Sequence, residues 1–207
     1  GTIEAAAYAE AVTEDTVVAT IVHTSPVTGM GVDVGAVSRA IRAKAPDCLI
    51  IVDGIQHAAH GAIDLAAYDV DGYVISPYKM FSRHGFGLAW MSEALERVAH
   101  NALDGGPALN WEMGTRDTGA YATFSDVVRY FEWLGSQTSD TTDPRARIEA
   151  AATAIHTHEH ALTDAMMNGV GNLPGLADLP GVTILGGTDN PGREGLVSFA
   201  LKSMPAP

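Results

Sequence analysis

Four short apolar runs in the first half of the chain, with a helical period between the first two, constrain the fold more than any other feature. They are residues 17–23 (VVATIVH), 48–53 (CLIIVD), 72–76 (GYVIS) and 86–91 (FGLAWM). Continuous apolar runs of this length, rich in β-branched and aromatic side chains, mark strands covered on both faces. Residues 34–45 (VGAVSRAIRAKA) carry apolar side chains at 34, 37 and 41, which is helical spacing. Asp33 stands where an N-cap belongs, and Pro46 closes the segment. Strand, helix and strand at this spacing predict βαβ units, hence an α/β fold with a mostly parallel sheet sandwiched by helices. Ligands in such folds gather at the carboxyl ends of the strands. Asp53 and Ser76 stand at two of those ends, and Lys79 lies just past the second.

The second half reads differently. Ser92 caps a predicted helix over about 93–100. Residues 118–134 are helical, with aromatic side chains at 121, 124, 130, 131 and 133. A polar loop (136–144) follows, then a long predicted helix from Pro144 to Met167, with proline in its first turn. Gly and Pro dominate until the strand-like stretches 182–185 (VTIL) and 196–201 (LVSFAL).

Composition excludes some partners. The formal net charge is -13, the wrong sign for gripping nucleic-acid phosphates or anionic lipid. No apolar run reaches the roughly 18 residues of a membrane helix. The N-terminus has no basic stretch leading into an apolar one, so no signal peptide is read there. The chain opens on Gly rather than Met, which points to processing or to a piece of something longer. The single cysteine, Cys48, precludes an internal disulfide and reads as a small buried hydrophobe in a reducing, cytoplasmic setting.

The stretch from Val52 to Trp90 carries the chemistry. Val52-Asp53-Gly54-Ile55-Gln56 ends one strand, Ile63-Asp64-Leu65 follows, Ser76-Pro77-Tyr78-Lys79 ends the next, and Gly85-Phe86-Gly87 opens the last. This order resembles the cofactor core of the class V aminotransferase and cysteine-desulfurase superfamily, whose members depend on pyridoxal 5'-phosphate (PLP) and share fold type I. Trp111-Glu112-Met113-Gly114-Thr115 is similar to the family's aromatic-Glu-x-Gly-Thr segment. His23-Thr24-Ser25-Pro26-Val27-Thr28-Gly29 is similar to its His-x-Ser-x-x-x-Gly turn. The likeness runs well over residues 3–135 and loosely over 180–202. It implies that residues 1–117 are part of the PLP-binding large domain. Residues 118–207 would then be connecting helices and part of a smaller α+β C-terminal domain.

The resemblance also implies roles. Lys79 would form the Schiff base with the cofactor and shuttle the substrate's α-proton, and it must lose its own proton to do so. Asp53 would keep the ring nitrogen protonated, and Gln56 would bond the ring's 3-oxygen. Ser76 and Tyr78 would bind phosphate, Tyr78 replacing a family histidine through its phenol. Thr115 matches a residue that reaches the phosphate of a neighbouring subunit, which implies a homodimer with shared active sites. The substrate would be an amino acid or related amine, in cysteine desulfurase/lyase-like or aminotransferase-like chemistry.

Departures from the family pattern blur the substrate. Pro26 stands where many desulfurases have an asparagine, and Ser82-Arg83-His84 replaces a Gly-Pro-Thr. Arg83 and His84 become candidate substrate contacts, as does His57, which follows Gln56. His57/His60 and His156/His158/His160 have metal-like spacing, but no carboxylate or cysteine accompanies either group at ligand spacing, so no metal is expected. The family's ring-stacking residue, substrate-carboxylate arginine and sulfur-accepting cysteine are expected outside these 207 residues. A non-catalytic homologue that keeps the fold for dimerisation or regulation is the second reading.

Overall fold

The computed structural model describes residues 3–107 and 109–204. Its centre is a four-stranded sheet in the order β1 (Val18–Val22), β2 (Leu49–Asp53), β3 (Gly72–Ile75), β4 (Leu88–Met91). The first three strands run parallel and β4 returns antiparallel. All four coincide with the apolar runs of the sequence. The connection from β3 to β4 holds a single 3-10 turn, Pro77–Met80, and no helix long enough to cross the sheet as a parallel crossover does.

Register sorts the side chains by face. Ile21, Val52 and Tyr73 are Cα partners and form one buried row. α2 (Val34–Arg42) lays Val34, Val37 and Ile41 against that row, within one core cluster. Asp33 caps α2 by accepting from the Ala36 amide at 2.8 Å. The expected helix reached residue 45. It ends at Arg42 because that guanidinium folds back onto the next turn, bonding Pro46 O, Cys48 O and the buried Asp71 carboxylate. Cys48 is buried in the same core. α1 (Ala5–Ala11) packs beside α2, and α3 (Leu65–Tyr68) follows β2; neither was read from the sequence.

Side chains alternate along a strand, so Val22, Asp53 and Val74 form the next row, on the opposite face. On that face Val18 and Val22 of β1 are about half exposed.

Ser92 caps α4 as expected, but the helix stops at Glu96 rather than near 100. The Trp111 indole N–H takes the Glu96 carbonyl at 3.1 Å, the acceptor a further turn would need. α5 (Thr118–Ser136) and α6 (Pro144–Asn168) form an antiparallel pair cored by Val127, Phe131 and Ala151. They approach closely at Gly135, where a β-carbon would lie 1.8 Å from the Arg147 carbonyl oxygen. A two-residue-per-strand hairpin, β5 (Gly169–Val170) and β6 (Leu173–Pro174), follows. The two late strands predicted from sequence pair antiparallel as β7 (Val182–Ile184) and β8 (Phe199–Leu201). No helix among the described residues is long and apolar enough to cross a membrane.

Candidate active site

The carboxyl ends of β2 and β3 lie side by side, since Asp53 pairs with Val74. Asp53 closes β2 and accepts from the Ile55 amide through Oδ1 at 3.0 Å, a local turn that steers the chain off the sheet. Gly54 then passes directly beneath the Tyr73 ring. A β-carbon there would sit 2.2 Å from it, so no larger residue fits. Gln56 opens a 3-10 turn over His57–Ala59.

β3 ends at Ile75. Ser76 stays extended and Pro77 starts a second 3-10 turn, Pro77–Met80. Proline's fixed φ suits that first position. Phe81 ends the turn at φ 68°, a left-handed conformation costly for a bulky side chain; its ring packs near Tyr130 and Phe131. The turn carries Lys79 back across the strand ends, where Nζ donates to Gln56 Oε1 at 2.7 Å. Gln56 Nε2 lies 2.9 Å from His60 Nε2, and His60 Nδ1 lies 2.7 Å from Glu159 Oε2 on α6.

The remaining sequence candidates surround this pair unevenly. The Tyr78 and His84 rings stack with centroids 4.3 Å apart. Arg83 is half exposed and forms a 2.8 Å ion pair with Asp117. Ser82 bonds Thr123 at 2.9 Å. These two contacts tie the lysine's loop to the start of α5 and bring it to the exposed strand of chain holding Thr115.

The sequence matches the family described as Aminotransferase class-V over residues 1–206. The chain belongs to the class-V aminotransferase family. A probable cysteine desulfurase of Mycolicibacterium paratuberculosis is 26% identical over 167 residues, covering 73% of this chain and 21% of that protein. The apo cysteine desulfurase of Thermococcus onnurineus NA1 superposes with a TM-score of 0.75 at 18% identity, over 99% of this chain and 48% of the other. A C-DES variant with glycine covalently linked to its PLP cofactor gives a TM-score of 0.64 at 19% identity, over 95% and 50%. Both place the fold among fold type I large domains. The chain spans about half the length of these solved relatives.

This class-V aminotransferase chain also holds a buried histidine cluster that local spacing did not reveal. His23, just past β1, lies 2.8 Å from the Tyr73 hydroxyl through Nδ1 and stacks on His57 at 3.5 Å between centroids. His57 Nδ1 meets Glu194 Oε1 at 2.5 Å, and its Nε2 meets the Ala62 carbonyl at 3.1 Å. Both nitrogens of His57, a substrate candidate from the sequence, are therefore taken up by the protein. The partners missed from sequence, Glu159 and Glu194, lie 99 and 137 residues from their histidines. No periodicity links residues that far apart.

Burial, reinforced by the facing His57, lowers the His23 pKa from 6.5 to about 3. Tyr68, Tyr73, His57 and Glu194 are the ionisable groups around it. The folded ring binds its proton more weakly than the unfolded one. The contribution is thus complete above pH 6.5 and is lost as pH falls from there toward 3, at about 1.4 kcal/mol per pH unit. Urea unfolding at pH 6.5 and at pH 5 should show that slope, and His23→Gln should flatten it by about that amount. Equal slopes in the two proteins would refute the assignment.

Proposed function

We propose that this chain carries the cofactor-holding part of a PLP-dependent enzyme acting on an amino acid or related amine, with Lys79 as the amine that takes up the cofactor's aldehyde. The observation that carries this reading is the 2.7 Å bond from Lys79 Nζ to Gln56 Oε1 across the ends of β2 and β3, with Asp53 closing the first of those strands.

The free valences of the site suit the group. One Asp53 oxygen is spent on the Ile55 amide; the other makes no hydrogen bond among the described residues and suits a ring N–H. The Ser76, Tyr78 and Thr115 hydroxyls make none there either: the first two suit the phosphate of this site and the third suits that of a neighbouring subunit. When bound, PLP supplies an electron sink for negative charge at the substrate's α-carbon. Asp53 holds the proton on the ring nitrogen, and Gln56 holds the 3-oxygen. Ser76 and Tyr78 grip the phosphate, and Thr115 serves the phosphate of a partner subunit in a homodimer. Lys79 takes and returns the α-proton. Arg83 and His84, on the lysine's own loop, are the substrate contacts of this reading; His57 supports the site from behind. The division near residue 117, between cofactor domain and smaller domain, belongs to the same proposal.

Carbon–sulfur cleavage is the favoured reaction, because cysteine desulfurases recur among both the curated and the solved relatives. Aminotransferase-like chemistry is the second option. A homologue that keeps the fold only for dimerisation or regulation is separated by one experiment. The full-length protein, mixed with PLP, reduced with borohydride and peptide-mapped, should carry the label on the Lys79 peptide. No visible absorbance band and no label would leave a fold without this chemistry. Asp53→Asn should still be labelled, yet lose about 10²–10³-fold in turnover, as when one preorganised charge is removed from an active site. Unchanged turnover would remove Asp53 from the role.

A further inference from the structure

We infer that His60 and Glu159 are positioning residues that fix which end of the Gln56 amide faces Lys79. This rests on the reading of Lys79 as the cofactor lysine and extends it to two residues outside the strand ends.

The inference follows from donor and acceptor chemistry at three successive contacts. A charged lysine has only donors, so the Gln56 atom 2.7 Å from Nζ is its oxygen. The amide nitrogen therefore faces His60 Nε2 at 2.9 Å. An amide NH₂ only donates, so Nε2 accepts and carries no proton. The proton of a neutral ring then sits on Nδ1, which lies 2.7 Å from Glu159 Oε2. An ionised carboxylate only accepts, so the assignment reached from the lysine end is also required from the glutamate end. The four groups form one directed chain: Lys79 to Gln56, Gln56 to His60, His60 to Glu159.

The chain is directional in consequence as well. If His60 held its proton on Nε2, Gln56 would have to turn its oxygen to the ring, setting an NH₂ against the lysine amine, donor against donor. Glu159 is the group that selects the other tautomer. The His60 and Glu159 side chains are only 15% and 27% exposed, so water competes weakly for these bonds. Gly195 makes room for the carboxylate: a β-carbon at 195 would lie 2.9 Å from Glu159 Cδ and 3.0 Å from Oε2. A mere staple between α6 and the His57–Ala59 turn would need no particular tautomer.

The test uses the full-length protein with nitrogen-15-labelled histidine, first without cofactor. The His60 signals are identified by their loss in His60→Gln. His60 should be the Nδ1–H tautomer, and Glu159→Gln should move it to Nε2–H or to a mixture. The second readout is the rate at which PLP is captured on Lys79, stopped by borohydride. Glu159→Gln should slow capture about tenfold, the order expected when a group that orients a reactive one is lost. Gly195→Ala, which leaves all four relay side chains in the sequence, should shift both readouts in the same direction. An Nε2–H tautomer in the unaltered protein, or a tautomer and capture rate unmoved by Glu159→Gln, overturns the inference. Absence of any label on Lys79 in the unaltered protein tells against the cofactor reading instead, and the tautomer measurement then decides the relay by itself.

Discussion

Lys79→Ala is expected to abolish turnover, with a loss of at least about 10³-fold, because the substitution removes both the amine that holds the cofactor and the group that carries the α-proton. The visible band of the reconstituted protein should vanish with it. Lys79→Arg should fare no better. A guanidinium keeps its proton at any working pH and cannot act as the nucleophile. A small added amine should restore a minor part of the proton transfer in the alanine variant. Turnover within tenfold of the unaltered protein would mean that another residue holds the cofactor and that the Lys79–Gln56 contact is incidental.

The second large effect concerns stability. Arg193 is 5% exposed and has no carboxylate partner among the described residues. Its charge is met by four carbonyl oxygens: Leu185 at 2.5 Å, Thr28 at 2.8 Å, Gly187 at 2.9 Å and Leu196 at 3.1 Å. These join the turn after β1 to the chain between β7 and β8. Arg193→Ala leaves those buried acceptors without donors and opens a cavity. The expected loss is about 3–5 kcal/mol, since each buried acceptor left unsatisfied costs about 1–3 kcal/mol and the cavity adds to it. Arg193→Lys should recover little of it, since one ammonium cannot address four acceptors spread around a planar fork. Urea unfolding of the full-length protein measures both variants; a loss under about 1 kcal/mol would mean the carbonyls find water instead.

The parts of this fold that were legible in the sequence are those governed by neighbours. The strands containing Ile21, Ile50 and Tyr73 followed from apolar runs, and the caps at Asp33 and Ser92 from residue type. The two long helices came within two residues of their observed ends. α4 was over-extended because its stop signal is Trp111, fifteen residues on. Lys79, Asp53 and Gln56 stand out in the sequence because they lie at or just past strand ends inside an ordered set of motifs, and their roles there belong to the proposal. The carboxylates that meet the nearby histidines could not be found that way. Glu159 lies on a long helix among ordinary surface charges, and Glu194 in a Gly-rich loop; only the packing of the second half against the first turns them into histidine partners. His57, a substrate candidate for its place beside Gln56, has both ring nitrogens engaged within the chain, and proximity to Gln56 in sequence says nothing about the carboxylate that arrives from residue 194.

The half-exposed outer row of β1 has a practical consequence. Among the described residues β1 pairs only with β2, so its far side offers unmatched amide and carbonyl groups beside Val18 and Val22. An edge of that kind recruits whatever extended peptide is at hand. These 207 residues, expressed by themselves, should self-associate and precipitate, and charge introduced at Val18 or Val22 should keep them in solution.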